Sequence, residues 1–110
     1  RLSLVGSEMC IRDRTYTPDF PIQNSQLVIE TKGAFNSADR KKMKTIKAQN
    51  PNLDIRFIFS NSKTKIGKKS KTTYAKWCDL FGFKYHCIQS TKETFPKEWL
   101  KEIQSIQNGN

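Results

Sequence analysis

Residues 53–60 read LDIRFIFS, the strongest strand signal in the chain. Leu53, Ile55, Phe57 and Phe59 alternate onto one face, and Ile58 makes the other face partly apolar. That is the pattern of a strand covered on both sides at the centre of a sheet. Upstream, Asn50-Pro51-Asn52 is a helix stop. It closes a predicted helix that Asn36 or Ser37 caps, that runs to about Gln49, and that carries Asp39 in its first turn. Met43 and Ile46 give this helix a narrow apolar stripe, while Arg40, Lys41, Lys44 and Lys47 gather on one arc. Gly33 separates it from a short strand, Leu27–Lys32, whose run Leu27, Val28, Ile29 follows the polar turn Gln23-Asn24-Ser25. Residues 15–20 read as a further extended segment. An antiparallel return through the turn would bring Asp19 level with Glu30.

Downstream, residues 60–73 form a loop with five lysines: Lys63, Lys65, Lys68, Lys69 and Lys71. Ser, Thr, Asn and Gly fill most of the gaps, so the loop is expected to bury little of itself and to be ordered by an anion. Gly67 fits neither a phosphate-loop spacing nor a dinucleotide fingerprint, which argues against nucleotide binding. Tyr74, Trp77, Cys78 and Phe81 recur at the spacing of a helix face, and Gly82 ends it. An aromatic stripe of that kind belongs to a core rather than to a base-stacking platform. Residues 83–88 alternate as an edge strand. Pro96 opens a last amphipathic helix that buries Trp99 and Ile103, solvates Lys97, Glu98, Lys101 and Glu102, and frays from Gln104. The succession of elements predicts an α/β fold: a small mixed sheet with helices packed on it.

Composition narrows the partner. Twenty Lys and Arg against ten Asp and Glu give a formal charge of +10, which favours a polyanion, nucleic acid ahead of an anionic membrane. No stretch approaches the length of a membrane span. Cys10, Cys78 and Cys87 are too few and too scattered for a disulfide framework or a zinc module, so a reducing compartment fits. His86 has no partner at metal spacing and reads as structural or surface.

Against that basic background, Asp19, Glu30 and Lys32 stand out. On a strand, Glu30 and Lys32 share a face and Thr31 points the other way. With Asp19 level with Glu30, two hard oxygen ligands flank a site suited to Mg²⁺, which usually keeps several waters. Phosphodiester hydrolysis needs an attacking hydroxide, and a metal supplies one by lowering the pKa of its bound water. Lys32 would then steady the negative charge that develops on the phosphate. Neighbouring carboxylates favour the charged form of a lysine, so its role reads as electrostatic and orienting, not as a general base. Arg40, Lys41, Lys44, Lys63, Lys65, Lys68 and Lys69 are the candidate phosphate contacts. The bland alternative is a strand with a solvated acid–lysine pair and a solvated basic face.

Pro18-Asp19 followed by Glu30-Thr31-Lys32 resembles the PD-(D/E)xK nuclease signature. The longer match is TYTPDF, ETKG, DRKK, LDIRFIFS, SKTK, Trp77-Cys78 and PKEWLKE, over about residues 15–103. It resembles the phage endonuclease I family of Holliday-junction resolvases. The resemblance implies a restriction-endonuclease-like core and a magnesium-dependent endonuclease, with Mn²⁺ as a substitute. It implies that branched DNA is cut by a homodimer, in the cytoplasm of the bacterial host. By position it implies that Asp19 and Glu30 are the metal carboxylates, that Thr31 lends its backbone carbonyl, and that Lys32 is the catalytic lysine.

The first stretch departs from that pattern. The family carries, upstream of TYTPDF, a helix with a further active-site glutamate, on a segment exchanged between subunits. Here residues 1–14 read RLSLVGSEMCIRDR, with no helix period and no strand alternation. They resemble a translated sequencing adapter, so Glu8 is not assigned the glutamate's role and the chain is expected to lack that part of the site. A signal peptide fails, because the apolar run is too short and charges follow at once. The expected division is therefore 1–14 non-native, 15–104 nuclease domain, and 105–110 a frayed tail. Two other functions remain open: a non-catalytic basic DNA-binding module, and a duplex-cutting or repair nuclease of the same superfamily.

Overall fold

The computed structural model describes residues 4–5, 8–11, 14–16, 18–23 and 25–108, the first three stretches by their backbone alone. Strands β1 (Leu4–Val5), β2 (Glu8–Ile11) and β3 (Arg14–Tyr16) pair antiparallel in that order. Sequence alternation gives no sign of β1 and β2, since backbone hydrogen bonds pair strands whatever their side chains, while β3 overlaps the extended segment read over residues 15–20. The main sheet is β4 (Phe20–Pro21), β5 (Leu27–Lys32), β6 (Asp54–Phe59) and β7 (Lys84–Cys87), also in sequence order. β4 runs antiparallel to β5, whereas β5, β6 and β7 are mutually parallel. This is the expected small mixed sheet, with the LDIRFIFS strand inside it and β7 at an edge.

Parallel neighbours need a crossover, and two helices supply it. α1 (Ser37–Gln49) joins β5 to β6, and α2 (Tyr74–Phe81) joins β6 to β7. The side chain of Asn36 caps α1 by accepting from the Asp39 N–H at 2.9 Å. Thr73 caps α2 by accepting from the Lys76 N–H at 3.1 Å. Gly82 ends α2 with φ 76°, a left-handed turn that suits glycine. After β7 comes a single turn, α3 (Ile88–Thr91), which the sequence pattern does not reveal, and then α4 (Lys97–Gln107). α4 runs on to Gln107, past the point where fraying is expected to begin, and half-buried Ile106 packs on the core.

The alternation along β6 separates two cores. Ile55, Phe57 and Phe59 face α1 and α2, together with Val28, Phe35, Met43, Ile46, Trp77 and Cys78. Phe35 is the hub: its ring lies 4.9–5.7 Å from those of Phe57, Phe59, Tyr74 and Trp77. Burial, helped by Asp79, pushes the Cys78 thiol up to about 12, so it behaves as an apolar core group. On the other face Ile29 and Ile58 meet Trp99 and Ile103 of α4. Phe81 departs from expectation. It is exposed rather than in the core, and Lys44 Nζ lies 4.3 Å over its ring.

Arg56, on the α4 face, is the polar surprise of the interior. It is buried, yet its guanidinium binds Asp54 at 2.8 and 3.2 Å and Glu102 at 2.9 and 3.2 Å. Burial opposes its charge, but the two carboxylates outweigh that and raise its pKa. Glu102, expected to be merely solvated, is thus the anchor that ties α4 to the central strand.

Candidate active site

The register of β4 against β5 pairs Phe20 with Ile29, which sets Asp19 opposite Glu30 as the hairpin predicted. Buried Pro18 fixes the chain just before Asp19. The Asp19 N–H donates to Glu30 Oε2 at 3.0 Å. In return, Asp19 Oδ2 accepts from the Thr31 N–H at 2.9 Å and from Thr31 Oγ1 at 3.0 Å. Glu30 shares the α1 side of β5 with Val28 and Lys32, and its carboxylate is buried. Such burial is costly without partners, and the Asp19 N–H and Lys32 meet that need. Lys32 Nζ stands 4.0 Å from Glu30 Oε1 and 3.8 Å from Asp39 Oδ1. Asp19, Glu30, Thr31 and Lys32 are therefore brought together at the end of β5.

Asp39 is the site residue that sequence reasoning missed. It was read only as a favourable charge in the first turn of a helix. A signal existed, since the helix begins soon after β5 and its first turn must lie near the strand end that carries Lys32. In the structure Lys32 is held between the acid beside it on the strand and the acid across on α1.

Among the described residues no group of three His, Cys, Asp or Glu is placed to hold a metal. What remains is two carboxylates and the Thr31 backbone carbonyl. That set is all hard oxygen and fits Mg²⁺, which takes one or two carboxylates and completes its shell with water and substrate phosphate. Asp19 is exposed, and its Oδ1 takes part in neither bond to Thr31, so it can face a ligand.

The basic candidates divide. Lys41 is exposed on α1, as are Lys63, Lys65, Lys68, Lys69 and Lys71 on the loop. Arg40 is half-buried, and its Nη1 donates to the carbonyls of Phe35 at 2.6 Å and Ile66 at 3.4 Å. Lys47 is likewise turned to the carbonyls of Pro51 and Leu53. Lys44 is exposed but rests on Phe81. The loop is also more built than its composition suggests. The Ile66 N–H donates to Thr72 O at 2.8 Å, the Tyr74 N–H to Thr64 O at 2.9 Å, and Ile66 packs on the first core. Ile66 is the apolar residue among the lysines that docks on the core. His86 is structural as read: Nε2 bonds Glu93 O at 2.8 Å and Thr91 Oγ1 at 3.1 Å.

The profile of the Phage endonuclease I family matches residues 5–109. The chain is 44% identical over 90 residues to Endonuclease I of Escherichia phage T7, covering 82% of this chain and 56% of that protein. It is 50% identical over 70 residues to Endodeoxyribonuclease 1 of Enterobacteria phage T3, covering 64% of this chain and 45% of that protein. The chain thus spans about half the length of the curated relatives it matches. With the family profile matched over nearly the whole chain and the acid–lysine cluster assembled on the sheet, the chain belongs to the phage endonuclease I family.

Proposed function

We propose that this chain carries the catalytic core of a magnesium-dependent DNA endonuclease that acts on four-way junctions and other branched DNA. The observation that carries the reading is the cluster at the end of β5: Asp19 and Glu30 cross-bonded, with Lys32 Nζ 4.0 Å from Glu30 and 3.8 Å from Asp39. Asp19, Glu30 and the Thr31 carbonyl would hold the cation, with Mn²⁺ as a substitute for Mg²⁺. When bound, the ion supplies Lewis-acid charge and makes phosphate hydrolysis accessible near neutral pH. Lys32 directs a fixed positive charge to the scissile phosphate, and Asp39 limits where that charge can swing. The exposed lysines on α1 and on residues 60–73 draw in the DNA backbone, and the net charge of +10 supports this. The names of the two phage relatives support DNA as the substrate. The choice of branched DNA, a homodimer that exchanges its N-terminal segments, and action inside the host cell rest on the family resemblance. No helix among the described residues is long and apolar enough to cross a membrane.

One observation favours a second reading, a non-catalytic DNA-binding module. Both carboxylates already accept hydrogen bonds from the neighbouring strand, as purely structural cross-links would. Cleavage of a four-way junction and of linear duplex of the same sequence, in Mg²⁺, Mn²⁺ and EDTA, separates the readings. The chain, and a version at the full length of its relatives, are each compared with Lys32→Ala. The nuclease reading expects metal-dependent nicking of the junction that Lys32→Ala lowers by about 10³-fold with binding little changed. Equal cutting of duplex would shift the substrate to a repair or duplex nuclease. Binding without cutting by both lengths would leave the module.

A further inference from the structure

We propose that Arg40 is a positioning residue, not a phosphate contact: it clamps the five-lysine loop onto the segment that carries the catalytic lysine. This rests on the reading that the chain binds DNA. By composition Arg40 belongs with Lys41 and Lys44 on a basic helix arc. Its side chain is instead drawn inward. Nη1 is shared between Phe35 O, at the core hub just after Lys32, and Ile66 O, in the middle of the loop. Phe35 is 1% exposed, so its carbonyl is a fixed point. A second link runs in parallel, because the Phe35 N–H donates to Tyr74 Oη at 3.1 Å and Tyr74 closes the loop through its own N–H to Thr64 O. Arg40 also follows Asp39, which faces Lys32. The loop, the start of α1 and the strand end thus form one block, with Lys63, Lys65, Lys68, Lys69 and Lys71 exposed on it.

A polycationic loop left free must be ordered when it binds, and that ordering weakens affinity without removing any contact. A clamped loop presents its charges already placed beside the reacting phosphate. The two roles of Arg40 therefore leave different marks on salt dependence. Loss of one phosphate contact lowers the slope of log K against log salt by about 0.9, because one counterion fewer is released. Loss of a clamp leaves the slope and weakens binding at every salt concentration.

The test uses Arg40→Met and Arg40→Gln in the full chain. Junction binding is titrated in EDTA across a range of salt, and amide exchange is followed in the free protein. The clamp predicts roughly three- to tenfold weaker binding with an unchanged slope, comparable to the loss of about one hydrogen bond. It also predicts faster exchange confined to the amides of Ile66, Ser70 and Tyr74. A slope reduced by about one unit, or loop amides that exchange as in the parent, overturns it. If one variant does not fold, the other decides. If the parent chain binds no DNA, the functional reading fails, and the exchange arm still decides the clamp.

Discussion

The Arg56 network makes a quantitative claim about what joins α4 to the sheet. The guanidinium is 4% exposed, while the carboxylates of Asp54 and Glu102 are 39% and 50% exposed. The partners therefore differ in what they lose when the network is cut. Asp54→Asn or Glu102→Gln leaves Arg56 with one carboxylate, and each should cost about 1 kcal/mol, the value for a well-formed pair discounted for its exposed end. The double variant leaves a buried cation with no carboxylate, only the two amide oxygens and the Trp99 ring 5.3 Å away, and should cost about 3–5 kcal/mol. The excess over additivity is then about 1–3 kcal/mol. Arg56→Met should cost less than the double variant, because both carboxylates can turn to water and the thioether keeps the packing. Urea unfolding followed by tryptophan fluorescence reads these values directly, since Trp99 sits in the affected helix. The pH dependence has a definite sign. The hydrogen bond from Arg56 lowers the pKa of Glu102 from its ordinary value of 4.5. Its contribution is therefore full above that value and is lost as pH falls through the folded-state pKa, and Arg56→Met abolishes that part of the acid sensitivity. Additive single variants, or Arg56→Met as damaging as the double, would refute the reasoning.

Other consequences are local. Asp39→Asn should lower single-turnover cleavage about tenfold or more while junction binding in EDTA stays within a few-fold, because it frees Lys32 without removing a phosphate ligand. Tyr74→Phe leaves the buried Phe35 N–H without its acceptor and should cost about 1–3 kcal/mol in urea unfolding, far above its loss of volume. Lys92 adopts φ 62° at the end of α3, so Lys92→Gly should raise the unfolding free energy by up to about 1 kcal/mol, read as a higher urea midpoint.

Sequence period and caps made the frame legible because both are local. The alternation of LDIRFIFS named the inner strand and both of its faces, and Asn36 and Gly82 marked where α1 begins and α2 ends. The hairpin pairing of Asp19 with Glu30 was legible for the same reason, since a short turn fixes register. What escaped was every pairing that depends on tertiary approach. Arg56 was one charge inside an apolar strand, and nothing nearby in sequence marks Glu102 as its partner across the layers. Asp39 looked like a helix-dipole residue until the chain reversal after Gly33 put it over Lys32. Arg40 and Lys44 looked like surface cations, and their inward turn or ring contact depends on where Ile66 and Phe81 come to rest. The same physics explains why charge counts overstate the DNA-facing surface. A basic side chain already engaged by a carbonyl or a ring has less to gain from a phosphate, and on α1 such groups engage Arg40, Lys44 and Lys47. If the chain binds DNA as proposed, the phosphate-facing charge falls mainly to the loop lysines and Lys41, so salt-dependent binding should respond more to Lys68→Gln and Lys69→Gln than to Lys44→Gln or Lys47→Gln.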